Sequence, residues 1–438
     1  MSKTILPLAT FVLLFGSNAV AQTPLSVSIE QLFEMADEHN ADIRAQQQAV
    51  DVARQQVKEA RSGRLPQINA SLSLSYLGDG TILDRDFSNA MRDRLPHFSN
   101  NLGVELYQPV YTGGAISGGI AAAETGVSMA GTGLDASRNG VRMAIVENFL
   151  RLAKSRNLLQ VYDENISLTE KLLGEMQAKC EQGIVLKNDI TRYELRLSTL
   201  RYDRLEIANS IDVCNANLRS LTGLRGDVDV LPVGADNVAV SAGTEADWIQ
   251  SAGANAPQLR MYDHQMSAER TARQITHADY LPKVGIIAGD SFQGPITFEV
   301  PAINKNYNAW FVGVNVKWNI SSLFTTAKST RRHDMEIGRL QDAKVSETES
   351  VTRKIHEAYT LYNQAVERLE IEKKNVRLAD ENYAVVSNRF DNQLALLTDM
   401  LDASNARLDA GVRLVNAAIS AQFYYYQLHY LAGTLISL

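Results

Sequence analysis

The sequence repeats itself once, and this constrains the fold more than any single motif does. His39-Asn-Ala-Asp-Ile-Arg44 aligns with Asn255-Ala-Pro-Gln-Leu-Arg260, and Leu65-Pro66 with Leu281-Pro282, at a shift of 216 positions. Farther on, Leu221-Thr-Gly223 aligns with Leu431-Ala-Gly433 at a shift of 210. The shift changes where loop lengths differ, so two halves of about 210 residues share one plan. The chain divides into a first repeat at 22–224, a linker at 225–244 and a second repeat at 245–438.

Proline marks the next level of organisation. None occurs from Val110 to Leu231, nor from Ala302 to Leu438. Proline breaks helix interiors, so these gaps leave room for very long helices. Ile145, Leu152, Leu159, Ile166, Leu173 and Cys180 recur at every seventh position. In the second repeat the same positions read Ile355, Tyr362, Leu369, Val376, Tyr383 and Phe390. A sustained seven-residue apolar repeat predicts helices packed as coiled coils. An outgoing helix from about Gly114 to Gln182 spans roughly 100 Å. It turns near Gly183 and returns over Lys187 to Thr222; the second turn falls near Gln393. A further helix is expected from Ser28 to Ser62. Eight glycines from Gly113 to Gly140 crowd the start of the first long helix, where each costs about 1 kcal/mol relative to alanine. That stretch must be held by neighbours or be broken.

Between the helices lie four segments with a period of two. Ile68, Ala70, Leu72, Leu74 and Tyr76 alternate with Asn69, Ser71, Ser73 and Ser75 in a strand at about 67–77. A second strand is expected at 101–111 and a third at 283–292, where Asp290 falls on the apolar parity. The fourth, at 308–320, aligns Trp310, Val312, Val314, Val316, Trp318 and Ile320 on one face. Trp310 and Trp318 are eight residues apart, about 26 Å along a strand. That approaches the ~25 Å apolar band between the aromatic girdles of an outer-membrane barrel. Four strands cannot close a barrel, so association is expected: two copies give eight strands, three give twelve with room for a pore.

Composition and the amino terminus agree with export to a membrane. Lys3, the apolar run Ile5 to Phe15 and Ala19-Val20-Ala21 read as a signal peptide at 1–21. No other apolar run is long enough for a transmembrane helix. With 43 Lys+Arg against 50 Asp+Glu, the net charge of −7 argues against a nucleic-acid partner. Two cysteines cannot make a disulfide framework, and the histidines have no metal-binding spacing. No nucleophile elbow or phosphate loop is present, so neither enzyme activity, cofactor nor metal is expected.

This plan resembles the outer membrane efflux protein family, the TolC-like outer membrane factors. The residues that carry the resemblance are Leu65-Pro66-Gln67-Ile68, Gln108-Pro-Val-Tyr-Thr-Gly-Gly114, Gly183-Ile184 and Leu397-Thr-Asp-Met-Leu-Asp402, over Ser28 to Leu438. The resemblance implies a mainly α protein with a membrane β-barrel, built from a duplicated helix-strand-strand-long helix-helix repeat. It implies a homotrimer whose twelve-stranded barrel sits in outer-membrane lipid and continues as a periplasmic α-helical coiled-coil barrel. Its partners would be a periplasmic adaptor and an inner-membrane pump, in tripartite efflux or type I secretion. Gly183, Ile184 and Leu394 would form the adaptor-docking tip, and Trp310 and Trp318 the aromatic girdle. Asp399 and Asp402 would form cation-attracting rings at the tunnel entrance, with Asp189 helping to lock the closed state. The family's tyrosine and arginine lock partners are replaced by Phe390 and Ala395, which makes Lys187 a candidate partner. A surface-anchored coiled-coil scaffold or adhesin, or a periplasmic adaptor, is the alternative; neither normally carries a duplicated strand pair.

Overall fold

The computed structural model describes residues 24–183, 186–224, 226, 228–235, 242–392 and 394–438. The expected signal peptide, Ile184 and Gln393 lie outside the described residues. The first repeat runs β1 (Pro24–Val27), α1 (Ile29–His39), α2 (Ala41–Ser62), β2 (Gln67–Tyr76), β3 (Gly80–Ile82), β4 (Met91–Asp93), β5 (Phe98–Tyr111), α3 (Ala115–Glu181) and α4 (Lys187–Thr222). The linker holds β6 (Asp229–Pro232). The second repeat runs α5 (Glu245–Asn255), α6 (Pro257–His277), a 3-10 turn (Ala278–Tyr280), β7 (Lys283–Gly294), β8 (Tyr307–Lys317), α7 (Ser322–Asp391) and α8 (Leu397–Ala432).

Where the sequence reads one helix from Ser28 to Ser62, the structure makes two. Ser28 opens α1 with a capping box: its backbone N donates to Gln31 Oε1 at 2.9 Å, and Gln31 N donates to Ser28 Oγ at 3.4 Å. The break falls at Asn40. Its side-chain oxygen accepts from Asp42 N (2.9 Å) and Ile43 N (3.2 Å), starting α2, and its Nδ2 donates to Leu221 O at 3.0 Å. The second repeat breaks at the matching place with Pro257 at the first position of α6, where a proline loses no hydrogen bond.

The long helix α3 is unbroken through its glycines. At Gly118 a Cβ would meet Ile275 Cγ1 at 2.6 Å, so α6 packs directly on the α3 backbone there, while Gly119, Gly126 and Gly131 face open space. The seven-residue stripe is buried in the body and loosens toward the tips. Ile145, Leu152, Ile355 and Tyr362 are fully covered, whereas Leu173, Cys180, Tyr383 and Phe390 are half-covered. Each fully buried aliphatic chain contributes about 1.5–3 kcal/mol, so the body, not the tips, holds the hairpins together. Both cysteines are free, and burial pushes the Cys214 thiol up.

Two small features of the body were not legible. β1 pairs in parallel with β6, tying the start of the first repeat to the linker. The segment at 78–100, between β2 and β5, carries the short β3–β4 hairpin.

The four expected strands form one antiparallel sheet in the order β2-β5-β7-β8. Its central pair, β5 with β7, joins the two repeats. One boundary needs correction. β8 ends at Lys317, so Trp318 and Ile320 lie beyond it. The indole Nε1 of Trp318 turns back to donate to Tyr280 O at 3.1 Å. Ser322, at the start of α7, donates from Oγ to Asp279 O at 2.6 Å, which fixes the same corner.

Candidate functional site: the sheet and the helical tips

The register settles which side chains share each face of the sheet, because directly paired residues project the same way. Ala70, Val104, Asp290 and Trp310 form one cross-strand row, and Ile68, Leu106, Ala288 and Val312 the next. On this face Trp310 is 75% exposed and Val312 and Val314 are each 68% exposed. A row of valines left open on a chain with a separate core is a surface meant for a nonaqueous neighbour. The opposite face carries Asn69, Ser71, Ser73, Ser75, Glu105, Asn315 and Lys317. Asp290, off pattern in the sequence, does lie on the apolar face. Asn308 Nδ2 donates to its Oδ1 at 2.7 Å, beside Trp310 at one end of the valine row.

The large apolar-face aromatics follow a diagonal: Tyr76 and Phe98, then Phe292, then Trp310. A level girdle must run diagonally across strands that tilt about 40° from the membrane normal. At the other end of this face lies Tyr111 on β5, paired with Val284, and Trp318 follows just beyond β8. Of the two predicted tryptophans, Trp310 is on the sheet's apolar face, while Trp318 lies outside the paired register.

At the other end of the molecule, the tips of α3/α4 and α7/α8 repeat one design. Asp189 and Asp399 are each the third residue of a returning helix. A carboxylate there complements the helix dipole, which is reason enough for the residue type. Asp399 also accepts from Leu396 N at 2.9 Å. Asp402 is exposed one turn on, and the two flank the buried Met400. Asp189 is half-buried.

The first tip turns with Gly183 at φ +74°, its N–H donating to Cys180 O at 2.9 Å. The second has Asn392 there, whose Nδ2 donates to Asn388 O at 2.7 Å. Leu394 is exposed; its N donates to Arg389 O at 2.7 Å, and Arg389 Nη2 donates back to Leu394 O at 3.3 Å. An arginine therefore does reach this hinge, from Arg389 and not from the position of Ala395. Phe390 has a cationic neighbour too, but it is Lys179 of α3, 5.1 Å above the ring. Lys187, the partner suggested by sequence, has no carboxylate within ion-pair distance among the described residues. Above the tip, Arg407 of α8 donates from Nε to Asp380 of α7 at 2.6 Å and lies 5.2 Å over Tyr383, clamping that hairpin. Among the described residues no group of His, Cys, Asp and Glu gathers to hold a metal ion.

A sheet with one face for lipid, carried on paired helices far longer than a bilayer is thick, defines a class: outer-membrane export channels are built this way. The model of the outer membrane efflux protein family matches residues 32–224 and 248–434, and the chain belongs to that family. It is an outer-membrane protein. TolC of Escherichia coli (strain K12) is 22% identical over 215 residues, a match covering 46% of this chain and 42% of TolC. TolC of Vibrio cholerae is 27% identical over 215 residues, covering 48% of this chain and 46% of that one. The matches thus span less than half the length of these curated relatives. In three dimensions the likeness extends further. The transmembrane-channel-forming CusC superposes with a TM-score of 0.77 at 14% identity, over 92% of this chain and 91% of CusC. VceC of Vibrio cholerae gives 0.73 at 14% identity, over 93% of this chain and 96% of VceC. At such identities the agreement speaks for the fold.

Proposed function

We propose that the chain is the passive outer-membrane duct of a tripartite efflux or type I secretion system, gated at its periplasmic tip and without catalytic activity. The observation that carries this reading is the open sheet. β2 and β8 are edge strands with an unpaired backbone, and such edges demand partners. Joining β8 of one copy to β2 of the next closes a barrel; three copies give twelve strands around a pore.

The helices support the same assembly. Ile371, Leu378 and Val385 recur every seventh residue along α7 and are all exposed. A second coiled-coil seam facing outward suits a neighbouring copy. A periplasmic adaptor would dock at the tips, at Gly183, Ile184 and Leu394, and would connect the duct to an inner-membrane pump.

In this arrangement Asp399 and Asp402 of three chains ring the entrance, with Asp189 beside them. Six carboxylates around an aperture select for cations and bind multivalent ones. Single-channel recording in a planar bilayer tests the gate. Asp399→Ala with Asp402→Ala should weaken cation selectivity and relieve block by a trivalent cation. Selectivity and block that both survive the double substitution would remove these residues from the entrance.

A further inference from the structure

The polar face of the sheet has a feature that the duct reading does not require. Four of the five glycines within the strands of this sheet, Gly103, Gly285, Gly289 and Gly313, fall on this face. So do Tyr107, Ile287 and Phe311. The two sets interlock. A Cβ at Gly289 would lie 2.6 Å from Phe311 Cε1 and 2.8 Å from its Cζ. A Cβ at Gly285 would lie 2.8 Å from Tyr107 Cζ. Ile287 stands directly opposite Gly313. Each ring therefore lies over glycine backbone, where any other residue would push it away.

The same row contains a charge. Glu105 pairs in register with Gly289, which pairs with Phe311. The Phe311 ring covers the middle strand, so it fills the space between its own strand and that of Glu105, each about 4.8 Å from the next. Glu105 is exposed and makes no ion pair among the described residues. Tyr107, two residues along β5, carries a second ring on the same face, over Gly285, about 13 Å along β7 from Gly289. Phe311 is 52% exposed, an open face and not a packed core ring. The lysines of this face, Lys283 and Lys317, stand opposite each other six residues down the strand, about 20 Å away. Lys283 is already engaged by Asp279 at 3.2 Å.

A carboxylate beside an exposed aromatic ring is an arrangement that can hold an organic cation. The ring quadrupole attracts the charge, the apolar ring surface takes its hydrocarbon, and the carboxylate supplies the counter-ion. We propose that Glu105 and Phe311, with Gly289 beneath the ring, form a subsite on the barrel wall for organic cations, repeated once per chain around the lumen, with the Tyr107 ring farther along the same wall. The subsite rests on the barrel reading, which turns this face inward. It names one class of cargo, cationic and partly aromatic, that the wall retains in passage. An inorganic cation gains little from it, since the rings offer no oxygen ligands.

The probe is methyl viologen, a water-soluble planar dication. It is titrated calorimetrically into the purified full-length protein in detergent, in parallel with pore formation in planar bilayers. Wild type should bind it. Glu105→Gln should bind about tenfold more weakly through loss of the counter-ion, while Glu105→Asp retains binding. Phe311→Leu, which keeps the apolar bulk and loses the π face, should weaken binding about threefold. Gly289→Ala, which lifts the ring, should do likewise, and a neutral planar analogue such as 4,4′-bipyridine should not discriminate among the variants. Pore-forming protein that fails to bind methyl viologen, or binds it equally in every variant, overturns the subsite and leaves the duct standing. Protein that forms no pore overturns the barrel reading and the subsite with it.

Discussion

Gly223 and Gly433, equivalent residues of the two repeats, end α4 and α8 in the left-handed conformation at φ +72°. A Cβ on Gly223 would meet His39 Cβ at 2.5 Å, and one on Gly433 would meet Asn255 O at 2.5 Å and Ala256 Cα at 2.9 Å. His39 and Asn255 are themselves repeat equivalents, so the two short matches seen in the sequence are the two sides of one contact. An alanine in either place combines backbone strain with overlap and should cost about 1–3 kcal/mol. Gly433→Ala should cost more than Gly223→Ala, because it presses on backbone and not on a side chain; paired thermal melts would show this as the larger drop in Tm. Burial makes His429 a second sensitive point. It sits 4.8 Å from both the Trp248 and Tyr425 rings, and its Nδ1 lies 2.9 Å from Thr434 Oγ1. Burial lowers its pKa from 6.5 to about 4, so the folded chain keeps it neutral. Between those values the unfolded state binds the extra proton, and stability rises with pH. Stability is therefore full above pH 6.5 and is lost as pH falls toward 4. His429→Phe, which keeps the ring packing, should flatten that part of the Tm-against-pH curve; an unchanged slope would assign it to other groups.

Among the elements, β8 gives the sharpest test of environment. Val314 projects with Trp310 and Val312 on the apolar face, and Asn315 projects with Lys317 on the other. A lysine at Val314 should cost about 2–4 kcal/mol near the middle of a membrane band, and at Asn315 next to nothing. Folding yield into lipid vesicles, compared for the two variants, reads the difference directly; equal yields would take the sheet out of the membrane. The α7/α8 hairpin shows how an element divides its labour. Phe423 and Tyr426 pack toward the cluster around Phe149 and Leu218, while Tyr424 and Tyr425 pack toward that around Ile355 and Tyr362. Four consecutive aromatics thus serve two cores, one on either side of α8. The packing of this returning helix is two-sided.

For the whole molecule, the proposed duct would depend on interfaces that a single chain only half supplies. The exposed α7 seam is the place to break them without unfolding the chain, since Ile371 and Leu378 touch no buried cluster. Ile371→Asp with Leu378→Asp should leave helical circular dichroism intact and shift the mass in detergent from trimer to monomer. A double variant that stays trimeric would place the seam elsewhere. The loosening of the seven-residue stripe toward the tips gives the ends of the hairpins less apolar burial than the body, which would suit the gate proposed there.

The sequence by itself determined the repeat, the helices and the faces of the strands. These are local periodicities, and local periodicity is written in residue types: α4 runs from Lys187 to Thr222 as read, and the four strands lie within a few residues of their expected ends. Tertiary structure alone decided the rest. The helix breaks at Asn40 because its amide also reaches Leu221, on a helix far along the chain. β8 stops at Lys317 because Trp318 bonds back to Tyr280 across the corner. Lys179 came to Phe390, and the rings of Tyr107 and Phe311 came over glycines of a neighbouring strand, through pairings between distant segments. A periodic pattern fixes which way a residue points, whereas its neighbour depends on register between chain segments that no short stretch of sequence records.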